Sequence, residues 1–456
     1  MRFRLSSLAA ASGARLEGDA EASGVAVDSR SVREGDLFVA IRGARVDGHD
    51  FAVQAAGRGA RALLAERRPD GLPPGFPMAL SPDPVRALQL FAASERKRLG
   101  FRLAAITGSA GKTTTKDFAA AILGRRFEVD KTPGSQNSQI GFSMSVLNLP
   151  RNPEWMVGEM GLSEPGELSR LSRAFEPDVA ALLLVAPAHL QYFPSVDAIA
   201  EAKAEILEGL KPGGPFVANA DDPRVERIAA GRSGRVIRFG VAAANADVRA
   251  RGVAADASGS RFRLETPSGA ADVRLPLPGA HQVANFLAAA AIAFAVGLSA
   301  DDSAAAAEDL RPAAHRGEWR RHASGARLYD DAYNANPASM RAALETLGAM
   351  EANRRIAVLG EMLELGPGEK EFHEGIGRLV PGRADRLVCV GERARWIADG
   401  AVEAGMAPAF VERAADAVQA AELLAGSLAA GDVVLFKASR GVGLERAVAA
   451  LEEPGS

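Results

Sequence analysis

The stretch FRLAAITGSAGKTTTK, Phe101 to Lys116, constrains this chain more than any other. Its first half reads as an apolar strand. Its second half opens with glycines and continues as a helix. A strand that passes through a glycine loop into a helix points backbone N–H groups at an anion, and the helix N-terminus adds partial positive charge. Gly108 and Gly111 permit that path, with Ser109 and Ala110 between them and Lys112, Thr113 and Thr114 after them. Lys112 would neutralise the β/γ oxygens of a nucleotide, and the Thr113 hydroxyl would bind Mg²⁺. The usual phosphate loop is written G-x-x-x-x-G-K-[ST]. Here only Ser109 and Ala110 separate the glycines. A degraded site, a chance Gly/Thr cluster and a different class of ATP enzyme all fit that spacing.

Strand-like runs continue beyond the loop. EWMVGEMG places Glu159 where its strand ends, DVAALLLVAPAHL places His189 just past its end, and GGPFVANADDP follows. Strands alternating with helices predict a parallel α/β sheet. Ligands of such sheets sit outside the carboxyl ends of the strands, so the glycine loop, Glu159 and His189 converge on one rim. A second alternating set begins near Arg311, with strands ARLYDD, RRIAVLGE, ADRLVCVGE and GDVVLFKASRG and helical stretches at 337–350 and 414–428. It predicts a Rossmann-like terminal domain. The GxG of GVGLERA lacks the full dinucleotide fingerprint.

A chain of 456 residues exceeds one ordinary core, and about two to three domains are expected. The Pro/Gly-rich patch PDGLPPGFP is followed by VRALQLFAASERKRLG, a helix with Val85, Leu88 and Phe91 on one stripe. The first boundary falls there, giving segments 1–83, 84–310 and 311–456. A formal charge of −3 without a long basic run argues against nucleic acid or an anionic membrane as the main partner. The single Cys389 excludes an internal disulfide framework, which fits a reducing cytoplasm. MRFRLSSLAAASGA imitates a signal peptide but is broken by Ser6 and Ser7, and reads as an N-terminal helix. ANFLAAAAIAFAVGL is Ala-rich and shorter than the ~20 residues of a membrane span, so it reads as a buried core helix.

Three side chains carry two readings each. Glu159 is either a solvated acid at a strand end or a carboxylate that holds Mg²⁺ beside a triphosphate. His189 is either a capping or satisfied core residue or a ligand. Lys203, in VDAIAEAKAEILEGL, lies on the stripe of Ile199, Ile206, Leu207 and Leu210. It either snorkels its ammonium to water or stays neutral and adds CO₂, becoming a carbamate that supplies an anionic metal ligand. No G-x-S-x-G and no zinc-spaced His/Cys cluster supports nucleophilic or zinc chemistry.

ITGSAGKTTTK resembles the loop of the Mur ligases, whose pattern is TG-x-x-GKT[ST]; the short spacing is that family's own variant. GEMG, PAHL and AEAKAEI follow at family-like spacing, and PLPGAHQVANFLAAAAIA resembles the family's G-x-H-N-x-x-N helix. LYDDAYNANPASMRAAL, VLGEMLELG and the opening VDSRSVREGDLFVAIRGARVDGHDF resemble the branch that adds D-alanyl-D-alanine. The resemblance covers nearly the whole chain. It implies an α/β protein of three domains: a UDP-sugar domain, a central ATPase domain with a P-loop-type parallel sheet, and a Rossmann-like C-terminal domain. It implies ligation of D-Ala-D-Ala to UDP-N-acetylmuramoyl-tripeptide with ATP and two Mg²⁺ ions, through an acyl phosphate, in a cytoplasmic monomer.

Carried over residue by residue, the resemblance gives Lys112 the transferring phosphate, Thr113 and Glu159 the first Mg²⁺, and His189 with carbamylated Lys203 the second. Gly108, Ser109, Ala110, Gly111 and Thr114 complete the loop. Asn285 is assigned to adenine, Asp331 to ribose and Arg316 to the start of the C-terminal domain. Ser29 and Arg30 are assigned to the uridine end, and Asn137, Tyr333 and Asn334 to substrate. The chain departs from the pattern at His315, where glycine is usual, at Gln282 and Ser138, where Asn is usual, and upstream of His189 in VAPAHL. A ligase of the third amino acid usually carries a D-N-P-R stretch, which is missing. A folate polyglutamate ligase would lack the DSR…DGHDF region. From another class, a non-catalytic nucleotide-binding or regulatory module is an alternative, as is a P-loop switch protein, which would turn over ATP or GTP without an amine acceptor.

Overall fold

The computed structural model describes residues 2–43 and 46–453, so Ala44 and Arg45 of the quoted N-terminal stretch lie outside the described residues. Three successive parts of the chain each build a large sheet. The N-terminal sheet has the order Arg15–Glu17, Met78–Leu80, Ala62–Ala65, Asp36–Val39, Gly24–Ala26, parallel except for its first pair. In the C-terminal sheet, Glu318–Arg321 is antiparallel to Arg327–Asp330. The parallel strands Asp432–Lys437, Arg354–Gly360, Arg386–Val390 and Val411–Ala414 follow.

The central sheet places the site. Arg102–Thr107 lies between Trp155–Glu159 and Val179–Leu182, and Phe216–Asn219 pairs next to the latter, all parallel. The register sets Glu159 opposite Ile106 and Leu182 opposite Thr107. The ends of neighbouring strands are therefore level, and the loops after them share one rim. These strands read as unbroken apolar runs because helices cover both faces of a parallel sheet.

Beyond Val236–Gly240 the sheet extends into Val248–Asp256, Gly259–Thr266 and Gly269–Leu275, the last two antiparallel to their neighbours. This meander was not expected from the sequence, although its signal is there. Ser260, Phe262 and Leu264 face inward while Arg261 and Arg263 are exposed, the period-2 pattern of a half-buried strand.

Helix Pro84–Leu99 starts where Asp83 Oδ1 accepts the Arg86 N–H at 2.8 Å, and Gly100 ends it at φ 73°. It packs against helix Leu5–Ser12 on one side and helix Gln139–Leu147 on the other. A continuous apolar cluster runs through it, from Phe3 and Leu5 to Phe142 and Phe175. The predicted helix at 337–350 spans Pro337–Gly348, and that at 414–428 shortens to Ala417–Ala425 because Ala414 ends a strand. Among the described residues, no helix is long and apolar enough to cross a membrane.

Candidate active site

Helix Lys112–Leu123 begins at Gly111, which sits at φ 83° and carries no side-chain cap. Its first-turn amides are left to the cavity in front of it. The positive φ of Gly111 favours glycine, and a Cβ there would lie 2.3 Å from Asn285 Oδ1, so the Asn285 side chain packs directly on the loop. Asn285 reaches this point from helix Ala280–Ala295, whose small alanines allow close packing on the loop helix. Asn285, assigned to adenine by the resemblance, thus lies against the glycine loop. Gln282, one of the departures from the pattern, accepts the Asn285 amide at 3.3 Å. The loop is braced from behind: Ser109 N donates to Leu184 O at 2.7 Å, and Ser109 Oγ to Ala186 O at 3.0 Å.

Glu159 is fully buried, which overturns the solvated-acid reading. Its Oε2 accepts from Thr113 Oγ1 at 2.8 Å, while its Oε1 has no partner among the described residues. A buried carboxylate oxygen without a donor is costly. Beside a threonine hydroxyl and a phosphate loop, this donor set fits a hard cation such as Mg²⁺.

Lys203 is 2% exposed, so the snorkelling reading fails. It lies near the end of helix Val196–Ala204, which Ser195 caps by accepting from Ala198 N at 3.1 Å. No hydrogen bond to its ammonium is found among the described residues. Burial, and then the charge of Lys112, hold its pKa well below the usual lysine value. Burial likewise lowers Lys112, whose Nζ donates to Gly108 O at 2.8 Å. His189 stands at φ 57° and is half-buried; burial lowers its pKa, and the Glu364 carboxylate opposes that. Its Nδ1 donates to Glu364 Oε2 at 2.6 Å, so it is not a backbone cap.

The C-terminal part supplies the opposite wall. The Arg316 guanidinium lies 4.0 Å from the centroid of the Tyr333 ring, which Arg440 also approaches at 5.6 Å. The Tyr333 hydroxyl contacts Ser135 Oγ across the cleft. Asn336 Nδ2 donates to Ser109 O at 3.2 Å, a direct bond from the C-terminal part to the phosphate loop. Asp331 Oδ2 accepts from the buried Lys437 at 2.5 Å, and the Asn334 carbonyl from the same ammonium at 3.1 Å.

His315 adopts φ 57°, the conformation a glycine would take freely. Its Nδ1 donates to the buried Asp330 at 2.6 Å and its backbone N–H to Glu318 at 2.8 Å. The departure from glycine is thereby accommodated next to Arg316. Ser138, where Asn is usual, caps helix Gln139–Leu147 by accepting from Gly141 N at 3.1 Å.

One cavity of about 750 Å³ collects Ser109 to Thr114, Asn137, His189, Lys203, Asn285, Arg316, Asp331, Tyr333 and Asn334. Glu159 lies directly beneath it through Thr113. Ser29 and Arg30 are not part of it. Ser29 Oγ donates to Gln54 at 2.7 Å, and the exposed Arg30 pairs with Asp28 at 2.7 Å in the N-terminal sheet region. Sequence reasoning missed Glu364, Ser135, Asn336, Lys437 and Lys116. Glu364, Asn336, Lys437 and Lys116 all lay inside stretches already singled out. Lys116 is 1% exposed, and its Nζ donates to the carbonyls of Thr132 at 2.7 Å and Gly134 at 2.6 Å.

Comparison with known proteins gives matches along the whole chain. Residues 106–293 match the Mur ligase middle domain, 315–440 the Mur ligase glutamate ligase domain, and 21–73 the Mur ligase family catalytic domain. The UDP-N-acetylmuramoyl-tripeptide–D-alanyl-D-alanine ligase of Bacillus subtilis (strain 168) is 36% identical over 435 residues, covering 94% of this chain and 93% of that protein. A crystal structure of MurF from Acinetobacter baumannii superposes with a TM-score of 0.89 at 30% identity, over 99% of both chains. A MurF ligase from Thermotoga maritima, solved in complex with ADP, gives 0.81 at 31% identity, over 94% of this chain and 96% of that one.

Proposed function

This chain belongs to the Mur ligase family, and from that premise we propose that it joins D-alanyl-D-alanine to UDP-N-acetylmuramoyl-tripeptide with conversion of ATP to ADP and phosphate. The product is the pentapeptide precursor of peptidoglycan. The observation that carries the reading is the one cavity in which the phosphate loop, Thr113 with Glu159 beneath it, and Lys203, without a hydrogen bond among the described residues, face the C-terminal wall of Arg316 and Tyr333.

The chemistry divides among these residues. The tripeptide carboxylate attacks the γ-phosphorus, its oxygen–phosphorus bond forms, and ADP leaves. The amine of D-Ala-D-Ala then attacks the acyl phosphate. The tetrahedral adduct collapses to the amide, phosphate departs and the amine proton passes to solvent or phosphate. Lys112, at the head of the loop helix, and the helix N-terminus hold the triphosphate oxygens. Arg316, held on Tyr333, brings a fixed cation to the charge that spreads over the transferring phosphoryl group. Asn137, Tyr333 and Asn334 line the substrate side, Asp331 is set by Lys437 for the ribose, and Asn285 lies on the nucleotide side. Ser29 and Arg30 are assigned to the uridine end, outside the central cavity.

Two Mg²⁺ ions would neutralise the phosphate charge when bound. Thr113 and Glu159 would hold the first, and His189 with Lys203 the second. The Lys203 amine, whose pKa burial lowers, would in its neutral form bond to CO₂ through nitrogen and lose a proton to water, becoming a carbamate anion suited to a hard cation. The reaction needs ATP and one chain's cavity, so a cytoplasmic monomer is proposed. The test is the mass of the product formed from UDP-muramoyl-tripeptide, ATP and D-Ala-D-Ala. Folded protein that adds no dipeptide, or releases phosphate regardless of D-Ala-D-Ala, refutes the assignment.

A further inference from the structure

The loops 189–191 and 364–366 come from different sheets and meet backbone to backbone. Gln191 N donates to Glu364 O at 3.2 Å. A Cβ on Gly366 would lie 2.9 Å from the Leu190 carbonyl oxygen, so the two chains touch too closely for a side chain there. His189 and Glu364 both occupy the left-handed region, at φ 57° and 64°. Neither is a glycine, and such conformations persist where surrounding contacts over-determine them. The Glu364 carboxylate accepts the His189 Nδ1 proton at 2.6 Å. That bond fixes the tautomer: Nδ1 carries the proton and Nε2 keeps its lone pair. His189 lines the cavity that Lys203 also lines.

We propose that Glu364 is a positioning residue that orients His189 for metal binding, so that the second cation site is completed by a carboxylate from the C-terminal domain. The inference rests on the reading of His189 as a metal ligand. A carboxylate behind a ligating histidine fixes its ring and raises its basicity. Here the carboxylate belongs to the opposite domain, so seating that domain and finishing the cation site become one event. The backbone bond from Gln191 does not need the Glu364 side chain, so the loops can stay docked when the carboxylate is removed.

The test uses the full chain with bicarbonate, a non-hydrolysable ATP analogue and Mn²⁺ as probe. Mn²⁺ binding is followed by electron paramagnetic resonance and domain seating by small-angle scattering. Glu364→Gly removes the carboxylate without straining a left-handed residue. It should weaken one of two Mn²⁺ sites by about tenfold to a hundredfold with the scattering curve unchanged. Glu364→Gln, which can still accept from Nδ1, should recover most of that affinity. Unchanged Mn²⁺ affinity in Glu364→Gly, with His189→Ala losing a site, overturns the inference alone. A changed scattering curve in Glu364→Gly makes the residue a structural latch and overturns it too. If His189→Ala keeps both sites, the metal reading of His189 fails and this inference falls with it.

Discussion

Lys116 and Lys203 are equally deep in the central domain, 1% and 2% exposed, yet their surroundings differ. The Lys116 ammonium is satisfied by two carbonyls, with the Asp117 carboxylate 3.7 Å away. It ties the phosphate helix to the 132–134 loop, which leads to Ser135 and Asn137 at the cavity. Lys203 has no hydrogen-bond partner among the described residues and feels the charge of Lys112. A buried amine with its donors used is structural. A buried amine with none used is a functional-site candidate, because burial without compensation destabilises the fold.

The largest effect should come from the unsatisfied lysine. Lys203→Ala is expected to lower turnover by about a thousandfold, the scale of removing an electrostatic contact to the transition state. Short carboxylates added to the assay should restore part of it by occupying the carbamate's place. Lys203→Arg should stay inactive, since guanidinium remains protonated and cannot take up CO₂. Near-normal turnover in Lys203→Arg would break the comparison, making Lys203 another packed cation.

Lys112→Ala addresses the cation that presses on Lys203. Phosphoryl transfer should fall by roughly a hundredfold to a thousandfold, while calorimetric titration should still show UDP-muramoyl-tripeptide binding, because Ser29 and Arg30 lie outside the cavity. Complete loss of sugar-nucleotide binding would contradict that separation. Arg316→Ala should act next, lowering turnover about a hundredfold with little change in KM for ATP, as expected of a charge used in the transition state. Weaker ATP binding at unchanged turnover would make the arginine a ground-state contact.

The smallest effects are on stability and should differ in sign. Lys116→Met leaves the buried Thr132 carbonyl and the part-buried Gly134 carbonyl without their donor, and is expected to lower unfolding free energy by about 2 kcal/mol. Lys203→Met removes an uncompensated buried amine, and in CO₂-depleted buffer should raise it by about 1 kcal/mol. The pH dependence sharpens the contrast. With a folded pKa depressed well below 10.5, the unfolded chain binds the extra proton between the two values, so stability from Lys203 rises with pH across that window. Lys203→Met should flatten the rise. Urea titrations at several pH values measure both, and equal signs for the two substitutions would dissolve the distinction.

The two lysines also show where sequence reading stops. That Lys203 lies on an apolar stripe is a matter of helical spacing, and spacing is written in the chain. Whether the ammonium escapes along that stripe depends on what packs over it, so only burial could count against the snorkelling reading. Lys116 gave no signal, because its partners are backbone carbonyls of a loop whose path no side-chain pattern encodes. The central strands, the loop and the Ala-rich helix were legible because periodicity and glycine placement are local. The antiparallel meander was legible in principle, through the alternation of Phe262 and Leu264 with Arg261 and Arg263, but its pairing was not.

By itself the sequence determined the chemistry available: a glycine loop ending in Lys112 and Thr113, an acid and a histidine at strand ends, and a lysine among apolar residues. Only the tertiary structure decided which of these meet. The parallel register brings Glu159 level with the strand that feeds the loop, and the C-terminal domain delivers Asn336 to Ser109, Arg316 to the cavity and Glu364 to His189. Such contacts join residues up to 227 positions apart. Their geometry follows from how separate apolar cores pack against each other, which no local stretch of sequence specifies.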